Sequence, residues 1–287
     1  MGRLKEIADE TDAEMREYLD HLGWEQNPFA HPVTGDEYVL PSAEDIADVS
    51  SHLQNYTGPV LIHSRYSGVG KTTLLRLMLE ELGDEYQPVH VGEHNVTPYE
   101  LISIVADAVG VGKSSSTKLT EQKVRGASFD QDVLLGVDEF GLNDPDTLHV
   151  IQFLNDLEPF RVILTGMTSQ WDAIGGLGSE GRAFQRRVSY QLELEPFDRT
   201  QTQELVQRRI ARSDGKMPSE YDQVDIEPFS ERVLDEVHTQ SEGVPAVVTS
   251  SLSELIGLAA YRYVNDLGSE VTVDMASSID YPEPKVE

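Results

Sequence analysis

Ser67-Gly-Val-Gly-Lys-Thr-Thr73 is the stretch of this sequence whose residue types and spacing most directly imply chemistry. Small residues let the backbone N–H groups of Ser67, Gly68, Val69 and Gly70 close around phosphate oxygens, and a following helix adds partial positive charge at its N-terminus. Lys71 has the reach for β- and γ-phosphates, the Thr72 hydroxyl can ligate Mg²⁺, and Thr73 stands where an α-phosphate contact is expected. The plainer alternative is a glycine-rich turn before an ordinary helix. The apolar run Pro59-Val-Leu-Ile-His63 ahead of it and the helical pattern from Thr72 to Leu82 behind it favour the nucleotide loop. One position departs from the full pattern: Arg65 stands where a glycine is expected. The loop entrance must then suit an L-residue, or the arginine turns to the nucleotide itself.

A second group supports the first. Val133-Leu-Leu-Gly-Val-Asp-Glu139 reads as an apolar strand ending in two carboxylates. Asp138 is suited to hold the Mg²⁺ shell and Glu139 to orient and activate the attacking water. An Asp-Glu pair after a strand is weak evidence alone, because turns favour acids. Thr165, ending the strand Arg161-Val-Ile-Leu-Thr165, could sense a γ-phosphate or hold water, or it could simply cap the next turn. Arg182, Arg186 and Arg187 form the densest basic cluster, after a Gly-rich loop over 175–181. One of them, with Arg186 or Arg187 ahead, is expected to act as an arginine finger on a neighbouring subunit's nucleotide, a device worth about 10³–10⁵ in rate. The alternative is a set of surface salt bridges, each worth little. Asn95 is a further candidate, as a contact to Glu139. No Asn-Lys-x-Asp segment occurs, so ATP is favoured over GTP.

Strands alternating with helices must position these groups. Strands are expected at Pro59–His63, Gln87–Gly92, Asp132–Val137, Arg161–Thr165 and Val188–Leu194, and helices at Thr72–Leu82, at Thr97 to about Val109, and from Asp144-Pro145 to about Leu157. That alternation argues for a largely parallel sheet covered by helices. Residues 110–130 are polar and read as a surface excursion. Ahead of the core, amphipathic spacing marks a helix over residues 4–22 ending at Gly23, and another over Ala43–Gln54. After Pro196 the strands stop, and Gln201–Arg212, Phe229–Thr239 and Pro245–Val264 read as three helices. The expected division is 1–58 for the N-terminal helices, 59–196 for the α/β core and 197–287 for the helical remainder.

The chain of 287 residues carries 51 acidic against 22 basic side chains, a formal charge of -29, and no cysteine. The last point excludes a disulfide scaffold, a thiol nucleophile and thiolate metal sites. No apolar run approaches the ~20 residues of a membrane helix, and the charged Met1-Gly-Arg-Leu-Lys start has no signal-peptide character. A cytoplasmic, soluble protein without membrane partners is expected. The acids are dispersed and the 15 arginines outnumber the 7 lysines, a pattern similar to proteins of salt-accumulating halophiles. A nucleic-acid mimic or a binder of basic partners is the sharper alternative, and would need the acids on one face.

Taken in order, Gly23-Trp-Glu-Gln-Asn-Pro-Phe29, the Ser67–Thr73 loop, Val137-Asp-Glu139, Arg161 to Gly166, Arg186-Arg187 and Leu194-Glu-Pro-Phe197 resemble the AAA+ ATPases of the ExeA secretion and TniB transposition type, relatives of the origin-recognition ATPases. The resemblance spans roughly residues 20–265. It implies a P-loop α/β sheet with helices on both faces followed by a small helical lid, ATP and Mg²⁺ as ligands, and self-assembly into a homo-oligomer. It also implies that Asn27, Pro28 and Phe29 lie near the adenine. Two departures stand out. Gly243-Val-Pro-Ala has Ala246 where relatives often carry a γ-phosphate-sensing arginine, and the chain ends about 20 residues after its last expected helix, leaving no room for a DNA-binding winged helix. DNA contact is then expected from the core, an oligomer or a partner. Three functions compete: an ATP-driven switch regulating a partner in transposition or replication, a nucleotide-gated assembly module with little turnover, and a secretion-complex ATPase. The last is disfavoured by the lack of a membrane segment.

Overall fold

The computed structural model describes residues 3–31, 38–39, 42–93, 95–142, 145–283 and 286. Two compact units emerge, one from residues 1–39 and 196–285 and the other from 40–195 with 286–287.

The second unit is built on five parallel strands: β1 (Val60–Ser64), β2 (Gln87–Val91), β3 (Val133–Val137), β4 (Phe160–Met167) and β5 (Tyr190–Glu193), in the order β2-β3-β4-β1-β5. β1 and β3 are buried at every position, as strands covered on both faces must be. Side chains alternate across the sheet. Leu61, Leu135, Val137, Val162 and Leu164 join one core.

The helices are α1 (Arg3–Leu22), α2 (Ala43–Asn55), α3 (Lys71–Glu81), α4 (Pro98–Ala108), α5 (Thr117–Arg125), α6 (Thr147–Asn155), α7 (Thr168–Gly175), α8 (Ser179–Gln185), α9 (Arg199–Ser213), α10 (Glu231–Gln240), α11 (Pro245–Val264) and α12 (Val273–Ser278). Leu101, Ile102, Ile151, Leu154, Trp171 and Phe184, from α4, α6, α7 and α8, close the first face of the sheet. On the other face α3 lies so near that a Cβ built on Gly136 would come within 2.8 Å of Leu75 and 2.9 Å of Leu79. Thr97 starts α4 through a reciprocal capping box with Glu100, and Pro98 occupies its first turn, where a missing N–H costs nothing.

The first unit is helical. Tyr18, Leu19, Leu205, Val233, Leu252 and Leu255, from α1, α9, α10 and α11, share its core with Trp24 just beyond α1. The Tyr18 hydroxyl donates to the Ser269 carbonyl at 2.7 Å. α1 and α2, neighbours in sequence, thus belong to different units.

Several expectations need correction. The polar excursion over 110–130 contains α5, whose inward Thr120 and Val124 are fully buried and whose Ser116 caps its start. Its high polarity masked a short amphipathic pattern. The segment read as a loop over 175–181 is the junction of α7 and α8, and the edge strand β5 is shorter than Val188–Leu194. After Pro196 the chain also forms a 3-10 turn at Pro218–Gln223 and α12, both too short for a periodic signal. Asp144, expected to open α6, lies outside the described residues.

Candidate functional site

Because all five strands run the same way, their carboxyl ends share one edge, the place where open α/β sheets bind ligands. β1 delivers the Ser67–Thr73 loop there. Gly68 (φ 84°) and Gly70 (φ 100°) take left-handed conformations that only glycine adopts without strain, and Gly70 is the N-cap of α3. Lys71 folds back over the loop, its Nζ donating to the Tyr66 carbonyl at 3.0 Å and to Met167 Sδ at 3.3 Å. Thr72 and Thr73 are half-buried in the first turn of α3, among the N–H groups that a helix start leaves unpaired. Arg65 stays outside the left-handed region, so the missing glycine costs the entrance no strain. Its guanidinium pairs with Glu193 of β5 at 3.4 Å.

β4 runs between β1 and β3, and this placement explains Thr165. Its register partner on β1 is Ile62, while its neighbour Leu164 pairs with Val137 on β3. Thr165 therefore stands level with Asp138, and its hydroxyl donates to Asp138 Oδ1. The same oxygen accepts from the Glu139 N–H at 3.0 Å. Both side chains are buried, Thr165 completely. Oδ2 of Asp138 is left without a protein partner among the described residues. Glu139, half-buried, adopts φ 49°, a conformation uncommon outside glycine and characteristic of functional turns. The Asp138 carboxylate and the Thr72 hydroxyl are hard oxygen donors, the kind that hold Mg²⁺ together with nucleotide phosphates and water rather than in an all-protein cage. The donor chemistry fits the ion. No group of three His, Cys, Asp or Glu side chains able to cage a metal occurs among the described residues.

Two contributors carried no sequence signal. Met167 meets Lys71 because β4 continues past Thr165 to Met167, and a methionine in an apolar run does not announce itself. His63 lies buried at the end of β1, its Nδ1 2.9 Å from Thr168 Oγ1. Burial holds its pKa below the usual imidazole value; Glu193 and Asp172 oppose that shift, and Lys71 and Arg65 reinforce it.

Other expected residues lie elsewhere. Arg187 makes a two-pronged pair with Asp156 at 3.0 and 3.1 Å, and Arg186 donates to the Arg182 carbonyl at 3.1 Å; all three arginines are exposed. Asn95, at φ 58°, forms no hydrogen bond to Glu139 among the described residues and lines a separate cavity with Tyr99 and Ser103. Asn27, Pro28 and Phe29 are buried within the helical unit. Asn27 Nδ2 donates to Ser253 Oγ at 3.0 Å and its Oδ1 accepts from the Phe29 N–H at 3.0 Å. Phe29 meets Phe229 edge-on, and the buried Arg209 donates to the carbonyls of Pro28 (3.1 Å) and His31 (2.7 Å). Ala246 is exposed on α11.

The strand order, the phosphate loop after β1 and the paired carboxylates after β3 define the P-loop ATPase fold in its AAA+ form. Solved structures of that form superpose on the chain. The Aeropyrum pernix ORC2 protein, determined as ADPNP–ADP complexes, matches with a TM-score of 0.63 at 12% identity over 88% of this chain and 71% of that one. The Aeropyrum pernix ORC1 protein in complex with DNA matches at 0.55 and 17% identity, over 84% and 65%. A point mutant of Thermotoga maritima RuvB matches at 0.53 and 14% identity, over 86% and 71%. At such identities the likeness is one of fold. No family model and no curated protein matches the sequence.

Proposed function

We propose that this chain is an ATP-binding and ATP-hydrolysing AAA+ switch that assembles with itself and regulates a protein partner in DNA transactions of the transposition or replication type. The observation that carries the reading is the Thr165–Asp138–Glu139 chain of hydrogen bonds at the strand edge that also bears the Ser67–Thr73 loop. Lys71 and the loop N–H groups would hold the phosphates, and Thr72 and Asp138 would hold Mg²⁺, which supplies charge neutralisation at the β- and γ-oxygens. Glu139 would orient and deprotonate the attacking water, and Thr165 keeps the neighbouring carboxylate aimed. Positioning and charge stabilisation, rather than covalent catalysis, would lower the barrier. To act as an arginine finger Arg187 would have to leave Asp156, whereas Arg186 would give up only a bond to a backbone carbonyl, which makes Arg186 the simpler donor. Base contact by Asn27, Pro28 and Phe29 rests on the resemblance alone. DNA association is supported by the fold shared with the ORC proteins, one of them in complex with DNA. We read a halophilic setting from the acidic composition and propose a cytoplasmic location; no described helix is long and apolar enough to cross a membrane.

A second reading, a nucleotide-gated assembly module with little turnover, is favoured by Ala246, which brings no cation to the position where relatives often sense the γ-phosphate. Phosphate release from Mg·ATP in multimolar KCl separates the two. Turnover is expected in the wild type, raised by double-stranded DNA, and reduced at least about 100-fold in Glu139→Gln while ATP binding persists. Bound ATP with no turnover in either protein would leave only the second reading, and Lys71→Ala should abolish binding under both.

A further inference from the structure

Residues 113–125 invert the charge of the chain. They carry Lys113, Lys118, Lys123 and Arg125 against Glu121 alone, and hold three of the seven lysines of a protein with net charge -29. Several basic side chains elsewhere pair with acids: Arg65 with Glu193, Arg187 with Asp156, Arg199 with Asp235, Arg208 with Glu204 and Lys216 with Asp214. Among the described residues none of these four side chains forms an ion pair, although Asp107 Oδ1 accepts from the Lys113 backbone N–H at 3.1 Å. Their helix is firmly held. Thr120 and Val124 anchor its inner face, Tyr99 donates to the Ser114 carbonyl at 2.7 Å, and Ser114 N–H donates to Thr120 Oγ1 at 3.0 Å. Lys123 Nζ donates to the Lys113 carbonyl at 3.2 Å and Arg125 lies 5.0 Å over the Phe153 ring, so the flanking charges are set in place. Leu119 is 46% exposed, one turn from Lys123 on the same flank, beside Lys118.

We propose that the outer face of α5 docks an acidic, leucine-bearing segment of a protein partner. An apolar centre with a charged rim is the anatomy of a protein interface. The rim sets orientation and encounter rate while the leucine contributes the desolvated contact. Four cations against the complementary charge of a short peptide suffice. A duplex gains affinity through six to ten phosphate contacts and has no use for an exposed leucine, and the surrounding acids would repel its extended polyanion. This inference does not depend on ATP turnover.

Fluorescence anisotropy of a labelled 15-residue peptide of Glu-Glu-Leu repeats, titrated with the full chain in 0.5 M KCl, tests it against an all-Glu peptide of equal length and a 20-base-pair duplex. The Glu-Glu-Leu peptide should bind most tightly of the three. Lys118→Glu with Lys123→Glu should weaken it about tenfold, and Leu119→Ser about fivefold with little change for the all-Glu peptide. No binding of the Glu-Glu-Leu peptide up to millimolar protein, or binding indifferent to Lys118→Glu alone, overturns the proposal. So does tighter binding of the duplex that falls with the lysine changes and ignores Leu119→Ser; the face would then read a phosphate backbone. Lys118 and Leu119 point away from the core, and matched circular dichroism spectra keep a folding defect distinct from lost binding.

Discussion

At the scale of single residues, the site is organised by hydrogen bonds that no motif spells out. The Asp-Glu pair of residues 138 and 139 and the Lys-Thr-Thr run from Lys71 are legible because phosphate and metal chemistry admits few residue types at few spacings. That Thr165 serves Asp138, that Lys71 rests on Met167 and that Arg65 turns to Glu193 are consequences of which strands lie side by side. His63 offers a residue-scale test. Burial lowers its pKa in the folded protein, so between the unfolded value of about 6.5 and the lower folded one the unfolded chain binds the extra proton. Its contribution to stability is therefore complete above about pH 6.5 and fades as the pH falls. His90 and His238 shift in the same direction, also through burial. In 2 M KCl the denaturation midpoint should drop from pH 7.5 to 5.5, less steeply in His63→Gln; a midpoint that rises on acidification would contradict this account.

At the scale of elements, the strands and long helices follow from apolar periodicity, and the misses are the short ones. Pro245–Val264 was readable end to end because a 20-residue helix repeats its pattern many times. α8 and α12 span one to two turns, and their existence depends on tertiary partners: Phe140 and Trp171 pack around Phe184 of α8, while Met275 and Ala276 of α12 join the core of the helical unit. Gly136 shows how an element is positioned by what a residue lacks. It lets α3 lie close on the face of β3, through Leu75 and Leu79, and so keeps the helix that follows the Ser67–Thr73 loop against the strand that precedes Asp138. Gly136→Ala should destabilise by about 1–3 kcal/mol in chemical denaturation, because a Cβ would force Leu75 and Leu79 out of their places. A variant as stable as wild type would mean that these leucines relax freely.

At the scale of the whole molecule, charge is the dominant property. With 51 acids against 22 bases, self-repulsion opposes the compact state, and added salt should relieve it as the screening length falls from about 10 Å at 0.1 M to about 3 Å at 1 M. Thermal unfolding between 0.1 and 2 M KCl should therefore show a rising midpoint, and a flat response would remove the halophilic reading of the composition. The amino-acid sequence by itself determined the class of fold, the glycine-rich Ser67–Thr73 loop and the Asp138–Glu139 pair after a strand, because backbone cradles and strand periodicity are local and chemically restrictive. Only the tertiary structure decided the strand order that sets Thr165 between the loop and Asp138, the union of α1 with α11, and the exposed basic face of α5. Those depend on which distant segments bury one another, and burial is a sum over the whole chain that no window of sequence contains.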